Sequence, residues 1–277
     1  MKCASERWKE IFFVNELSFE PLKDSCVYAS DIPIYISRNV LKYPEEVKEF
    51  MENGYWWWNG GLEESIRPGK SFEFGDQFLV QNYFLPLIEE LIKFYDAQDV
   101  IPIEFYGNCY NGNKDLYSTM AYLPHTDTYP DADQDLDIDP LNDYAFNLNL
   151  TKSDKVKTAF YSFNNKRSIC DFTKKDHDDF EIVREKHESI EVKDWKKELV
   201  DEDYENFRLE YIANIDYNSM ILYPSHYWHS CYLKEDWFTD IDRITFTGFF
   251  ETIFSDDRIG PTYDPELTRY VKKLGFD

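Results

Sequence analysis

Residues 218–252 read NSMILYPSHYWHSCYLKEDWFTDIDRITFTGFFET, and they contain two apolar, strand-like runs separated by a polar loop. The first run ends in a Tyr-Pro-Ser turn that is followed by His226 and His229, and the second run begins with Arg243. The two histidines are three positions apart, so on a strand they face opposite sides and only one is expected in a common site. In the second run, Arg243 shares a face with Thr245, because strand side chains alternate with a period of two.

Another histidine lies upstream in residues 121–130, AYLPHTDTYP, where His125 and Asp127 follow an apolar, strand-like run. The chain has 54 acidic residues among 277, together with five histidines, so a His-x-acid triplet is expected by chance. A second triplet does occur at 177–179, in a charged stretch where a helix would point its side chains apart. A strand end at 125–127 instead aims both side chains to one side, which is the arrangement that a metal site needs.

The region 101–252 is rich in short strand signals, with β-branched and aromatic runs bounded by Asn, Gly, Asp and Pro. Many short strands with few helices between them predict an antiparallel sandwich or barrel. A charged stretch at about 165–205 predicts an exposed excursion with some helix, inserted in the β region. Because the chain has no internal repeat and no Pro/Gly/Ser linker, we expect a single domain over 1–277.

The N-terminal region, 1–100, predicts a helical support for that β structure. A short helix is expected at 43–54, closed by Gly54, and a longer apolar stripe at 76–98 predicts a second helix. Pro86 would kink this second helix or divide it in two.

The overall composition narrows the classes of function. Hydrophobic residues make up 43% of the chain, which is too rich for a disordered protein. The net charge of −24 argues against nucleic-acid binding, because neutralising phosphates needs clustered Lys and Arg. The five cysteines are scattered and form no C-x-x-C pair, which predicts reduced thiols. The N-terminus lacks a signal-peptide core and no apolar run approaches a membrane span, so we expect a cytoplasmic protein without a membrane partner.

Four residues in a fixed order carry a resemblance to a known family. They are His125, Asp127, His229 and Arg243. The pattern resembles the Fe(II)/2-oxoglutarate-dependent dioxygenases of the double-stranded β-helix fold, particularly the prolyl-hydroxylase-like branch. That family carries a His-x-Asp pair, a distant histidine after a YPS-like turn and an arginine on the next strand. The resemblance covers 101–252, although residues 156–157 (Val-Lys) replace the glycines that the family usually has in one turn.

The resemblance implies a jelly-roll or cupin-like double-stranded β-helix that binds Fe(II), with 2-oxoglutarate and O2 as co-substrates. The implied metal ligands are His125, Asp127 and His229, and His226 is the rival of His229. Arg243 would bind the far carboxylate of 2-oxoglutarate, because a guanidinium stays charged and binds carboxylates in a bidentate manner. The other implied residues are Thr245 on the same carboxylate, Asn147 and Asn149 facing the barrel interior as contacts of the 2-oxoglutarate, and Tyr122 in a catalytic or pocket-lining role.

The function implied by the resemblance is an oxygenase, most simply a hydroxylase of a C–H bond in an amino acid, a peptide or a small metabolite. Two alternatives stay open: a non-catalytic jelly roll that binds a metal or ligand, and a cupin-type metalloenzyme that does not use 2-oxoglutarate. Residues 131–143 mimic a calcium loop but lack its Gly and Glu, which favours an acidic lid beside the site. Trp56–Trp58 are either a packing anchor or a wall on which a substrate stacks. The sequence does not indicate an oligomeric state.

Overall fold

The computed structural model describes residues 4–28, 31–53, 57–58, 69–73, 77–112, 123–127, 143–188, 203–234 and 237–254. The helices are α1 (Ala4–Ile11), α2 (Pro44–Glu52), α3 (Gln77–Tyr95) and α4 (Lys174–Glu188), with a short 3-10 turn at Ile169–Asp171. The strands are β1 (Glu20–Pro21), β2 (Tyr35–Arg38), β3 (Trp57–Trp58), β4 (Lys70–Glu73), β5 (Asp99–Tyr110), β6 (Asp143–Asn149), β7 (Lys157–Phe163), β8 (Asp203–Tyr204), β9 (Phe207–Asn214), β10 (Ser219–Pro224), β11 (His229–Cys231) and β12 (Arg243–Ile253).

These strands form two antiparallel sheets. The large sheet has the order β1-β2-β10-β6-β12-β5-β4-β3, and the small sheet has the order β11-β7-β9-β8. His125 extends the small sheet at its β11 edge through a bridge to His229. From β5 onward the large sheet takes β5, β6, β10 and β12, whereas the small sheet takes the His125 segment, β7, β9 and β11. Such strand exchange between two sheets is a jelly roll, so the predicted double-stranded β-helix fold is confirmed.

The large sheet is packed on both faces. On its outer face lies a core shared with α1, α2 and α3, in which the ring of Phe84 stacks on that of Phe246 with centroids 4.9 Å apart. On its inner face it meets the small sheet, and the Tyr223 and Phe160 rings lie 5.1 Å apart. Because side chains alternate along each long strand, one face of the strand is apolar and packs against the helices. The other face points toward the small sheet and is free to carry polar side chains.

Residues 1–100 supply more than the expected helices, because β1 to β4 also extend the large sheet at both edges. For example, β2 pairs with β10 so that Ile36 lies beside Ile221. The long helix α3 runs without a break and contains Pro86, so the division suggested by that proline is not observed. Among the described residues, no helix is both long enough and apolar enough to cross a membrane.

The charged excursion contains a helix, as expected, but this helix is not exposed on all sides. One side of α4 is buried, since Phe180 and Val183 pack in a core with Phe207 and Trp228. Ion pairs on its solvent side include Lys174 with Asp178 at 3.1 Å. The excursion thus covers Trp228, the neighbour of His229. Residues 189–202 of the predicted excursion lie outside the described residues.

Candidate metal centre

Three metal-ligand side chains meet at the edge of the small sheet. His125 and His229 are paired by two reciprocal backbone hydrogen bonds, each with an N···O distance of 2.9 Å. The backbone N–H of Asp127 donates to the carbonyl of Ser225, also at 2.9 Å. His125 and Asp127 are two positions apart on an extended segment, so their side chains point to the same side. Backbone register therefore brings together residues that are 102 positions apart (229 − 127).

The donor atoms of His125, Asp127 and His229 all lie within 4.8 Å of one another. Nε2 of His229 is 3.2 Å from Oδ2 of Asp127, and Nε2 of His125 is 3.9 Å from Oδ1. The side chains of His229 and Asp127 are 7% and 5% exposed, whereas that of His125 is 19% exposed, so the group opens toward solvent on the His125 side. In the part of the chain that the structure describes, this is the one group of three such residues that can hold a metal ion.

Both imidazoles have the tautomer that metal binding requires. Nδ1 of His229 lies 2.9 Å from the carbonyl oxygen of Tyr227, and Nδ1 of His125 lies 3.2 Å from that of Leu123. Because a carbonyl oxygen only accepts, each Nδ1 donates its proton and each Nε2 keeps its lone pair. Burial lowers the pKa of His229 to about 4, so its ring is neutral near pH 7.

The rival histidine makes a different contact. Nδ1 of His226 lies 2.8 Å from the hydroxyl oxygen of Ser168, and burial lowers the pKa of His226 to about 3. The Ser168 oxygen also accepts from the backbone N–H of Cys170 at 3.0 Å, so its proton is available to His226. The structure places His229, and not His226, beside Asp127, as expected for histidines on opposite faces of one segment.

Arg243 lies on the inner face of the large sheet at the start of β12. Its neighbours in sequence alternate as predicted, because Ile244 and Phe246 are in the outer core. Arg243 is 2% exposed, and its Nη1 donates to the hydroxyl oxygen of Thr245 at 3.3 Å. No carboxylate of the described residues forms an ion pair with Arg243, and its Nε lacks a hydrogen-bond partner there. A buried guanidinium in this state is a strong site for an anion.

The two asparagines predicted to face the barrel have different roles. Both lie on β6 opposite the outer-core residues Phe146 and Leu148, and so on the inner face. Both ends of the Asn149 amide are hydrogen-bonded within the chain, since it donates to the carbonyl of Ile215 at 2.7 Å and accepts from the N–H of Thr151 at 2.6 Å. Asn149 therefore ties a turn, in contrast to the predicted cofactor contact. Asn147 has no such partners, and its Oδ1 is buried without a hydrogen bond to the described residues.

Sequence reasoning missed the aromatic side chains around the metal-binding group. The ring of Tyr223 is 4.9 Å from that of His229 in an edge-to-face arrangement, and the ring of Phe160 is 6.2 Å away. Burial raises the pKa of the Tyr223 hydroxyl well above its usual range, and the charge of Asp127 adds to the effect. The signal was present in SMILYP, where alternation puts Tyr223 on the face opposite Met220 and Leu222.

Several predicted residues lie outside the described part of the chain. They are Tyr122, Trp56 and the acidic segment up to residue 142. Trp57 and Trp58 form β3, but their side chains are not described. His177, from the second His-x-acid triplet, lies on α4 with its ring 5.2 Å from that of Phe172.

The chain was compared with known proteins. No family model matches it, and no curated protein matches it. A structure of HygX from Streptomyces hygroscopicus with nickel and 2-oxoglutarate bound has 12% identity and a TM-score of 0.47, covering 88% of this chain and 96% of that chain. The non-heme alpha ketoglutarate dependent carbocyclase SnoK from nogalamycin biosynthesis has 10% identity and a TM-score of 0.43, covering 90% of each chain. An N-substituted L-amino acid dioxygenase from Burkholderia ambifaria AMMD has 11% identity and a TM-score of 0.41, covering 79% and 85%. The function proposed below rests on the contacts of this chain and not on these likenesses.

Proposed function

We propose that the protein is an Fe(II)- and 2-oxoglutarate-dependent oxygenase that hydroxylates a C–H bond of a small organic substrate. One observation carries the proposal: an open three-ligand group on the small sheet faces a large sheet whose inner side holds a buried arginine, and this arginine has no carboxylate partner among the described residues. The first feature suits a catalytic metal, and the second suits a dicarboxylate co-substrate.

The ligand group fits Fe(II). Two neutral imidazoles and one carboxylate are the 2-His-1-carboxylate donor set of non-heme Fe(II) oxygenases, which leaves coordination positions open. The bound ion would supply the activation of O2 for attack on an unreactive C–H bond. The chain contributes the tautomer of both rings through the carbonyls of Tyr227 and Leu123, so that each Nε2 is presented as a ligand. Tyr223 and Phe160 keep water from the buried side of the group.

Arg243 and Thr245 would bind the far carboxylate of 2-oxoglutarate. The guanidinium is buried, so an ion pair formed there is screened little by solvent. The Thr245 hydroxyl accepts from Arg243 and is free to donate its own proton to a carboxylate oxygen. Together they offer one charge and one directional hydrogen bond, which favours a dicarboxylate over a monocarboxylate.

Binding of the metal and of 2-oxoglutarate can be tested before the organic substrate is identified. Under anaerobic conditions, Fe(II) and 2-oxoglutarate together are expected to give a visible charge-transfer band with the wild-type protein. His229→Ala should abolish the band, whereas His177→Ala, which removes a histidine outside the group, should leave it unchanged. A wild-type protein that binds Fe(II) tightly and shows no band would contradict the use of 2-oxoglutarate.

Arg243 separates this proposal from a metalloenzyme that does not use 2-oxoglutarate. Arg243→Met should weaken 2-oxoglutarate binding to the Ni(II)-loaded protein by about a hundredfold, because a buried charge-assisted pair is lost. The same substitution should leave Ni(II) affinity within about threefold of wild type, since Arg243 is not a ligand. Equal 2-oxoglutarate affinity in both proteins would favour the cupin-type alternative.

A further inference from the structure

A row of uncharged polar side chains crosses the inner face of the large sheet. Its members are Asn147 of β6, Thr247 of β12, Asn108 of β5 and Ser71 of β4. Asn147 lies opposite Thr247 in the strand register, and Ser71 lies opposite Asn108. The amide Nδ2 of Asn108 lies 3.3 Å from the hydroxyl oxygen of Thr247, which links the two halves. Since cross-strand neighbours on one face are in contact, the four side chains form one continuous polar row.

Three of the four side chains have an oxygen that receives no hydrogen bond from the part of the chain that the structure describes. The atoms are Ser71 Oγ, Asn108 Oδ1 and Asn147 Oδ1, each buried and without a partner among the described residues. Ser71 is fully buried and Asn108 is 6% exposed. Native proteins leave few buried polar groups unpaired, because each one costs stability. Three such atoms on neighbouring strands therefore indicate a surface built for a ligand.

The polar row lies between the two parts of the proposed active site. Along β12, Thr247 follows Thr245 and Arg243 on the same inner face. Beyond Thr247 on this face comes Phe249, which lies opposite Ala145 of β6. Ala145 in turn lies opposite Tyr223 of β10. Because the Tyr223 ring is 4.9 Å from that of His229, the polar row borders the metal end on one side and the arginine end on the other.

We propose that the polar row recognises the organic substrate, and that this substrate is a small molecule carrying several hydroxyl or amino groups. This inference rests on the proposed function, which supplies the reaction at the adjacent metal. A hydroxyl both donates and accepts, so it satisfies a serine hydroxyl and either end of an asparagine amide. An apolar substrate would leave all three oxygens unpaired, and a carboxylate would bring acceptors to the two amide oxygens, which need donors.

The first test compares two asparagines on the same strand and face. Asn147→Leu should leave the melting temperature of the ligand-free protein unchanged or raise it, because a buried amide oxygen that has no partner among the described residues is removed. Asn149→Leu is the matched control, and it should lower the melting temperature by roughly 3 °C or more, because two hydrogen bonds are lost. This comparison needs neither metal nor 2-oxoglutarate, so it stands even if the proposed function fails.

The second test measures whether the polar row contributes to binding of the co-substrate. Asn108→Leu and Asn147→Leu should each bind 2-oxoglutarate, in the Ni(II)-loaded protein, within about threefold of wild type, since the carboxylate contacts are assigned to Arg243 and Thr245. Ni(II) does not support turnover, so binding alone is measured.

The loaded wild-type protein is then heated with myo-inositol, with D-glucosamine or with cyclohexanol.

The two hydroxylated probes should raise the melting temperature of the wild type more than that of Asn108→Leu or Asn147→Leu, and cyclohexanol should not discriminate. Equal stabilisation of wild type and variants would be a general co-solvent effect and would overturn the assignment. Destabilisation of Asn147→Leu to the level of Asn149→Leu would overturn it as well, because Asn147 would then be structural. A loss of 2-oxoglutarate affinity of tenfold or more would assign the polar row to the co-substrate instead.

Discussion

The main-chain carbonyl of Tyr227 accepts the Nδ1 proton of His229 at 2.9 Å, while the phenol of the same tyrosine is bound to the N-terminal part of the chain. Its hydroxyl oxygen accepts from the N–H of Ile32 at 2.6 Å and lies 3.3 Å from the carbonyl oxygen of Ile32. The residue that sets the tautomer of a metal ligand is therefore held in place by a segment almost two hundred positions away in sequence. Second-shell contacts of this kind orient the ligand and tune its basicity.

Removing the Tyr227 hydroxyl is expected to weaken metal binding. Tyr227→Phe keeps the carbonyl but loses both contacts to Ile32, so the carbonyl is held less firmly against His229. We expect the Ni(II) dissociation constant, measured by calorimetry, to rise about tenfold. Tyr217→Phe is the matched control, since it removes a 2.7 Å hydrogen bond to Glu45 at the surface. An equal Ni(II) affinity of both variants would show that the phenol has no influence on the ligand.

The same segment is anchored by a buried ion pair between Arg167 and Asp31. The guanidinium Nη1 lies 2.8 Å from Oδ2 of Asp31, and the two side chains are 1% and 5% exposed. Arg167 also donates to the carbonyl of Ser25, and its guanidinium carbon lies 4.7 Å from the centre of the Tyr227 ring.

Breaking this pair from either side should be strongly destabilising. Asp31→Asn and Arg167→Met should each lower the free energy of unfolding, measured with urea, by about 3–5 kcal/mol, because a buried charge loses its partner. The double variant should lose much less than the sum of the two, which is the result expected for directly coupled groups. Additive losses, or single losses below about 1 kcal/mol, would argue against the pair as an anchor.

His226 predicts a dependence of stability on pH. Burial depresses its pKa from the ordinary value of 6.5 to about 3, so between these values the unfolded chain binds more protons than the folded one. Its contribution to stability is present above pH 6.5 and is lost as the pH falls toward 3. From about pH 7.5 to about pH 5 this loss amounts to roughly 2 kcal/mol.

His226→Gln should therefore flatten the stability profile of the protein over that pH interval. Urea unfolding at the two pH values measures the difference, with His177→Gln as a control that changes a histidine on α4. His229 also has a depressed pKa, so the His226 variant should keep part of the wild-type slope. Parallel profiles for wild type and His226→Gln would contradict the expectation.

Gly248 is expected to tolerate no side chain. It lies on β12 where an added methyl group would overlap the rings of Phe146 and Phe105. Gly248→Ala should thus lower the free energy of unfolding by about 1–3 kcal/mol through overpacking of the outer core. Since this face points away from the metal, Ni(II) affinity should stay within about twofold of wild type. Ile103→Ala, at a half-exposed position of β5, serves as the comparison.

The sequence predicted the direction of side chains wherever that direction depends only on neighbouring residues in the chain. Alternation placed Arg243 and Thr245 on one face and put His226 and His229 on opposite faces, because strand periodicity is a local property. The role of Asn149 was not predictable in this way, because its partner Ile215 lies 66 positions away and comes close only in the folded sheet. The same holds for β2, whose four residues carry too weak a pattern to indicate that Ile36 pairs with Ile221.

The backbone pairing of His125 with His229 has a consequence for the lifetime of the protein. The ligands come from two segments that are far apart in the chain and adjacent only in the folded sheet, so an unfolded chain cannot bring them together around an ion. A bound metal would therefore act as a cross-link between these segments, and its stabilisation of the folded state would grow with the logarithm of the free metal concentration over its dissociation constant. Removal of the metal by a chelator should then make the chain easier to digest with a protease, so that iron supply would govern how long the protein survives as well as whether it turns over.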